Sequence, residues 1–183
     1  MARRIFYLIL TVLLITFPQL EFAQSKATYE GVQVCGMCHK SAKQGEQLKI
    51  WQESAHAKAY KTLQTKEADE IAQKLHKKKA VEDAECLSCH VTGAGKDKSM
   101  FGSKFKIEDG VQCEACHGPG SEYKSMKIMK DRAAAVKAGL VLWKDEKEIE
   151  KFCTTCHNEK SPTFKKFDFK TMWAKIKHPV PKG

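Results

Sequence analysis

The chain has 183 residues, with 32 Lys and Arg against 22 Asp and Glu, giving a formal net charge of +10; only 9% of its residues are aromatic and its mean hydropathy is −0.47. So short and polar a sequence cannot build a large apolar core from its own side chains, and beyond residue 20 it has no stretch apolar enough to cross a bilayer. The positive balance leaves an acidic partner or nucleic acid open.

Arg3 and Arg4 form a basic start, residues 5–17 are an apolar run, and Pro18 ends it. A spanning helix needs about 20 residues, so residues 1–25 are expected to be a signal peptide cleaved after Ala23 or Ser25; an uncleaved N-terminal anchor is the alternative. No cysteine stands there to carry a lipid. Residues 30–183 lack a Pro- or Ser-rich linker and are expected to form one domain, exported to the periplasm or beyond the cell.

The first motif is Cys35-x-x-Cys38-His39. The same pattern returns as Cys86, Cys89 and His90, as Cys113, Cys116 and His117, and as Cys153, Cys156 and His157, using all 8 cysteines. Histidine is 7 of 183 residues, so its presence after all four pairs by chance has odds on the order of a few in a million. That argues against a zinc ribbon or an exchangeable dithiol. It points to covalent attachment of four haem c groups: two cysteines three apart add to the vinyl groups of one porphyrin, and the next residue supplies the proximal imidazole. The motifs are unevenly spaced, so they do not form a strict tandem repeat.

Residues 41–79 are rich in Ala, Glu, Gln, Lys and Leu without proline, which predicts a largely helical segment with a break near 64–68. Leu48, Trp51, Ala55 and Ala59 share one face, with His56, Tyr60 and Leu63 on the adjoining strip. Gly93, Gly95 and Gly102 with Phe101, Phe105 and Ile107 suggest a loop or small hairpin within 91–110. A helix is expected over 122–138 with Gly139 as its cap, another from Asp145 into the fourth motif, and a last one over 168–177. His178 precedes Pro179 and is therefore expected in extended backbone. The predicted fold is mainly α with extensive loops, a multihaem cytochrome c.

Four haems in the exported chain leave roughly 40 residues apiece, so the porphyrins themselves should form most of the core. Their propionates and ferric irons lower the balance to roughly +5, which makes the lysines haem counter-charges first and sets nucleic acid aside. Four bis-histidine irons would need eight histidines, and there are 7. His56, His178 and His76 stand outside the motifs as candidate distal iron ligands, although His76 in Leu75-His76-Lys77-Lys78-Lys79 also reads as part of a solvated basic face. Met126 and Met129 are sulfur candidates, but methionines on a helix mostly fill core.

Trp51 with Ser54-Ala55-His56-Ala57-Lys58-Ala59, then Cys86-Leu87-Ser88-Cys89-His90, then Gly110-Val111-Gln112-Cys113-Glu114-Ala115-Cys116-His117-Gly118-Pro119-Gly120, and a C-terminal aromatic helix ending in His178, resemble the tetrahaem cytochrome c-554 family. The resemblance implies stacked haem pairs, three bis-histidine irons and one five-coordinate iron, with His56 and His178 at distal positions. The family has a further distal histidine after its Gly-Pro-Gly segment. Here Ser121-Glu122-Tyr123-Lys124-Ser125-Met126 contains none, which leaves His76 or a methionine as its replacement. The function so implied is electron transport between periplasmic donor and acceptor proteins in anaerobic or nitrogen-linked respiration. Two alternatives are a haem enzyme acting on nitric oxide, nitrite or hydroxylamine, and a subunit of a conducting multihaem assembly. The oligomeric state is not legible.

Overall fold

The computed structural model describes residues 27–76 and 78–179, so the expected signal peptide lies outside the described residues. Its helices are short: α1 Val32–Gly36, α2 Gln47–Glu53, α3 Ala59–Leu63, α4 Lys66–His76, α5 Ala84–His90, α6 Cys113–His117, α7 Met126–Met129, α8 Arg132–Lys137, α9 Glu146–Cys153 and α10 Phe169–Ile176. Among the described residues no strand forms, and Tyr29 meets Phe101 in an isolated parallel bridge. The protein is mainly α with extensive loops, as its composition predicts.

The helix expected over 41–79 is interrupted more often than propensity suggests. Ser54 closes α2: its backbone is extended, and its hydroxyl donates to the Trp51 carbonyl at 2.7 Å. A 3₁₀ turn at His56–Lys58 then leads into α3, so the continuous strip of His56, Tyr60 and Leu63 on one helix does not exist. The next break falls at Gln64 and Thr65, where it was expected, and the Thr65 hydroxyl accepts from the Ala68 amide at 3.2 Å to start α4.

No hairpin forms within 91–110. Asp97 accepts from the Ser99 amide at 2.9 Å and starts a 3₁₀ turn at Lys98–Met100, and a second turn covers Ile107–Asp109. Phe101 and Phe105 therefore pack on each other, with ring centres 4.5 Å apart, and on Tyr29. The helix expected over 122–138 is split because Asp131, in extended backbone, caps α8 through the Ala134 amide at 3.0 Å. α9 and α10 form where expected, capped by Asp145 and Asp168.

Buried apolar side chains among the described residues are few and small, chiefly Val32, Leu63, Ala72, Ala80, Val91 and Ala135. Leu63, Ala72 and Ala80 pack with Val81, Cys86 and Leu87, which fastens α4 against α3 and α5. The largest fully buried side chains include Gln112 and Glu114. Glu114 accepts from the amides of Glu30 (2.8 Å), Gly31 (2.7 Å) and Gly120 (2.7 Å). Gln112 accepts from the Val32 amide at 2.8 Å and donates to the Lys106 carbonyl at 2.9 Å. These two side chains flank Cys113 in sequence and tie the approach to the first motif onto the third, each buried polar atom meeting a partner.

Candidate haem centres

Each CxxCH segment lies on a helical turn. His39 and His157 donate their amides to the carbonyls of Cys35 (3.1 Å) and Cys153 (3.0 Å), while the second and third motifs lie within α5 and α6. Residues three and four apart on such a turn point to one side. Both sulfurs and the imidazole of each motif can therefore address one flat group.

Two histidines outside the motifs face motif histidines. The ring centres of His56 and His157 are 6.0 Å apart at 54°, and those of His117 and His178 are 5.8 Å apart at 45°. Imidazole nitrogens about 2 Å from a metal on either side of it put their ring centres roughly 6 Å apart. Both pairs thus have the separation that a shared iron requires. His178 follows Lys177, extended at ψ 134°, at the exit of α10.

His56 is held by a close backbone crossing. Its carbonyl accepts from the Val111 amide at 3.1 Å, and Trp51 Nε1 donates to the Val111 carbonyl at 2.8 Å. Gly110, at φ 68°, makes this possible, because a Cβ there would stand 2.7 Å from the His56 oxygen. His157 stacks on Phe167 with ring centres 4.7 Å apart at 11°. His90 Nδ1 hydrogen-bonds the Ala59 carbonyl at 2.7 Å, the arrangement that leaves Nε2 to a metal.

His76 is placed differently. Its Nδ1 lies 2.5 Å from Asp83 and its Nε2 3.3 Å from Glu85, so both ring nitrogens are engaged by carboxylates, and no motif histidine faces it in a ring contact. His76, Asp83 and Cys86 also bring potential metal-ligand atoms within 4.8 Å of one another, but the Cys86 sulfur is the atom that the second attachment motif uses. Met126 is exposed, and its helix α7 packs on α8.

Burial lowers the pKa of His56, His117, His157 and His178, with the neighbouring imidazole adding to the effect at His56 and His117. The neutral imidazole, the form that binds metal, is favoured at all four.

The sulfurs order the motifs in space. Helices α1 and α6, which carry Cys35 and Cys113, pack together, and the two thiols shift each other, Cys35 up and Cys113 down. Burial, then Cys153, pushes Cys116 up to about 12; burial, then Cys89, pushes Cys156 to about 11. Electrostatic neighbours among the sulfurs therefore link the first motif to the third, the third to the fourth, and the fourth to the second. His39 also lies within electrostatic reach of His117 and His178. Residue patterning did not reveal this order, nor Phe167, the Ala59 carbonyl or the Glu114 strut; only the Asp83 cap, three residues before Cys86, left a local trace in the sequence.

The residues present fit haem. The two histidine pairs stand at ligand separation, and each attachment turn presents two sulfurs and an imidazole on one side. Attachment turns and facing imidazoles on short helices and loops are the arrangement of a c-type cytochrome. The family model described as cytochrome c554 and c-prime matches residues 34–118. Over 142 residues the chain is 33% identical to cytochrome c-554 of Nitrosomonas europaea, an overlap covering 72% of this chain and 58% of that protein. The chain thus spans less than two thirds of that relative's length, and no solved structure matches it. Over these residues the chain is similar to the cytochrome c-554 family.

Proposed function

We propose that this chain is an exported tetrahaem electron carrier, working in the periplasm or outside the cell between a donor and an acceptor protein of anaerobic or nitrogen-linked respiration. The observation that carries the reading is the pair of imidazole couples, His56 with His157 and His117 with His178, each at the separation of a shared iron beside a CxxCH turn. Cys35, Cys38, Cys86, Cys89, Cys113, Cys116, Cys153 and Cys156 would hold four haems by thioether bonds, with His39, His90, His117 and His157 as proximal ligands. His56 would be the second ligand opposite His157, and His178 the one opposite His117. Haem, when bound, supplies reversible one-electron chemistry at iron.

What the chain contributes is spacing and tuning. Neighbouring motifs keep their groups close, and bis-histidine ligation sets low potentials at the two centres with paired imidazoles. Residues 1–25 fit a leader for export, and among the described residues no helix is long and apolar enough to cross a membrane. Residues 30–183 fit a single domain.

A reductive titration of the purified holoprotein tests the reading. Uptake of four electrons per chain is expected, with spectra of c-type haem throughout; uptake of fewer overturns it. Sustained turnover of nitric oxide, nitrite or hydroxylamine would instead make the protein an enzyme.

A further inference from the structure

The supply of histidine is finite, and the structure accounts for all of it. Of 7 histidines, four follow the CxxC pairs. His56 faces His157 and His178 faces His117. His76, the last, is held between Asp83 and Glu85. No histidine of this chain remains for the position opposite His39 or opposite His90. These two belong to the first and second motifs.

The family resemblance accounts for one five-coordinate iron. We propose that this chain has two: the iron held by His39 takes no second histidine and is, in addition to the iron held by His90, an open site for a small neutral diatomic ligand. The proposal rests on the tetrahaem reading above. It gives the molecule two bis-histidine centres and two ligand-accessible ones. Two local differences set the latter two apart. The His90 imidazole is hydrogen-bonded through Nδ1 to the Ala59 carbonyl, whereas the buried Nδ1 of His39 has no partner. A hydrogen-bonded imidazole is the stronger donor, so the two irons should differ in their spectra when they bind the same ligand.

The test uses the mature holoprotein and carbon monoxide. A pyridine haemochrome assay first counts haems; fewer than four per chain overturns the tetrahaem reading, and the proposal with it. Four haems with two carbon monoxide molecules bound per dithionite-reduced chain, and two low-spin bis-histidine irons by EPR in the oxidised chain, support it. Binding of one molecule or none, as a methionine, a lysine or a neighbouring chain capping the first iron would cause, overturns it. His76→Ala is expected to leave the count at two; a rise to three would show His76 on an iron and defeat the proposal. Removing the first attachment with Cys35→Ala and Cys38→Ala should lower the count from two to one, and a count still at two would move the second open iron away from His39. If that double variant does not accumulate, the unmodified protein and His76→Ala decide the matter.

Discussion

At the residue scale the chemistry depends on imidazoles held neutral and aimed. Desolvation by the surrounding chain depresses the pKa of half-buried His117 and, although its side chain keeps solvent contact, of His178, so protons compete less well with a metal for their nitrogens. His178 is exposed enough at the end of α10 for replacement without a cavity in the interior. His178→Met should exchange a bis-histidine centre for a histidine and methionine one, raising the potential of one haem by on the order of 0.1 V. Spectroelectrochemistry reads the shift, and an unchanged set of potentials would remove His178 from the ligand set. Phe167 belongs at this scale too, since its stack fixes the plane of the His157 ring.

At the element scale, α5 is positioned by its neighbours more than by its own propensity. Asp83 caps it through the Glu85 amide at 2.8 Å and at the same time binds His76 of α4. Burial works to raise the Asp83 pKa, but the Glu85 amide and His76 overcome it, and the group is held below the ordinary carboxylate value. A depressed folded-state pKa contributes stability that is present above the unfolded value of about 3.9 and is lost as pH falls through the lowered folded value. Asp83→Ala should therefore cost about 1–2 kcal/mol at neutral pH. In acid titrated through and below that carboxylate range, the difference from the unmodified protein should shrink, as thermal melts across pH will show. Gly110→Ala acts on another junction. The added Cβ would collide with the His56 carbonyl in a backbone conformation that disfavours side chains, so the expected outcome is loss of one low-spin bis-histidine EPR signal in the folded holoprotein.

At the scale of the whole molecule, polar struts span what side-chain packing does not. Glu114 joins residues 30 and 31 to residue 120 through three amides, and although burial pushes its pKa up, those amides pull the other way. Glu114→Gln replaces one acceptor oxygen with a donor that faces an amide. A buried donor left without a partner costs about 1–3 kcal/mol. The expected result is a lower Tm with the haem spectrum of the folded protein retained, and an unchanged Tm would mean that the strut carries no stability. The small apolar clusters around Leu63, Ala72 and Ala80 agree with a chain too polar to provide its own interior, one that haem is expected to fill.

Sequence by itself determined the helical, loop-rich class and displayed the four CxxCH turns that the proposed haem attachment needs, because such a turn is complete within five residues and needs no distant partner. It also located α9 and α10, whose caps are local. Tertiary structure alone decided which histidine meets which, that His76 turns to carboxylates, and that the first motif lies beside the third. Those facts join residues far apart in the chain, such as His56 with His157 and Cys35 with Cys113. Local propensity also misjudged the segments at 41–79 and 122–138, where Ser54 and Asp131 stop helices that their neighbours would continue. The physical reason is the same throughout: a turn is decided by contacts within four residues, whereas a ligand pair depends on how separate turns are brought together.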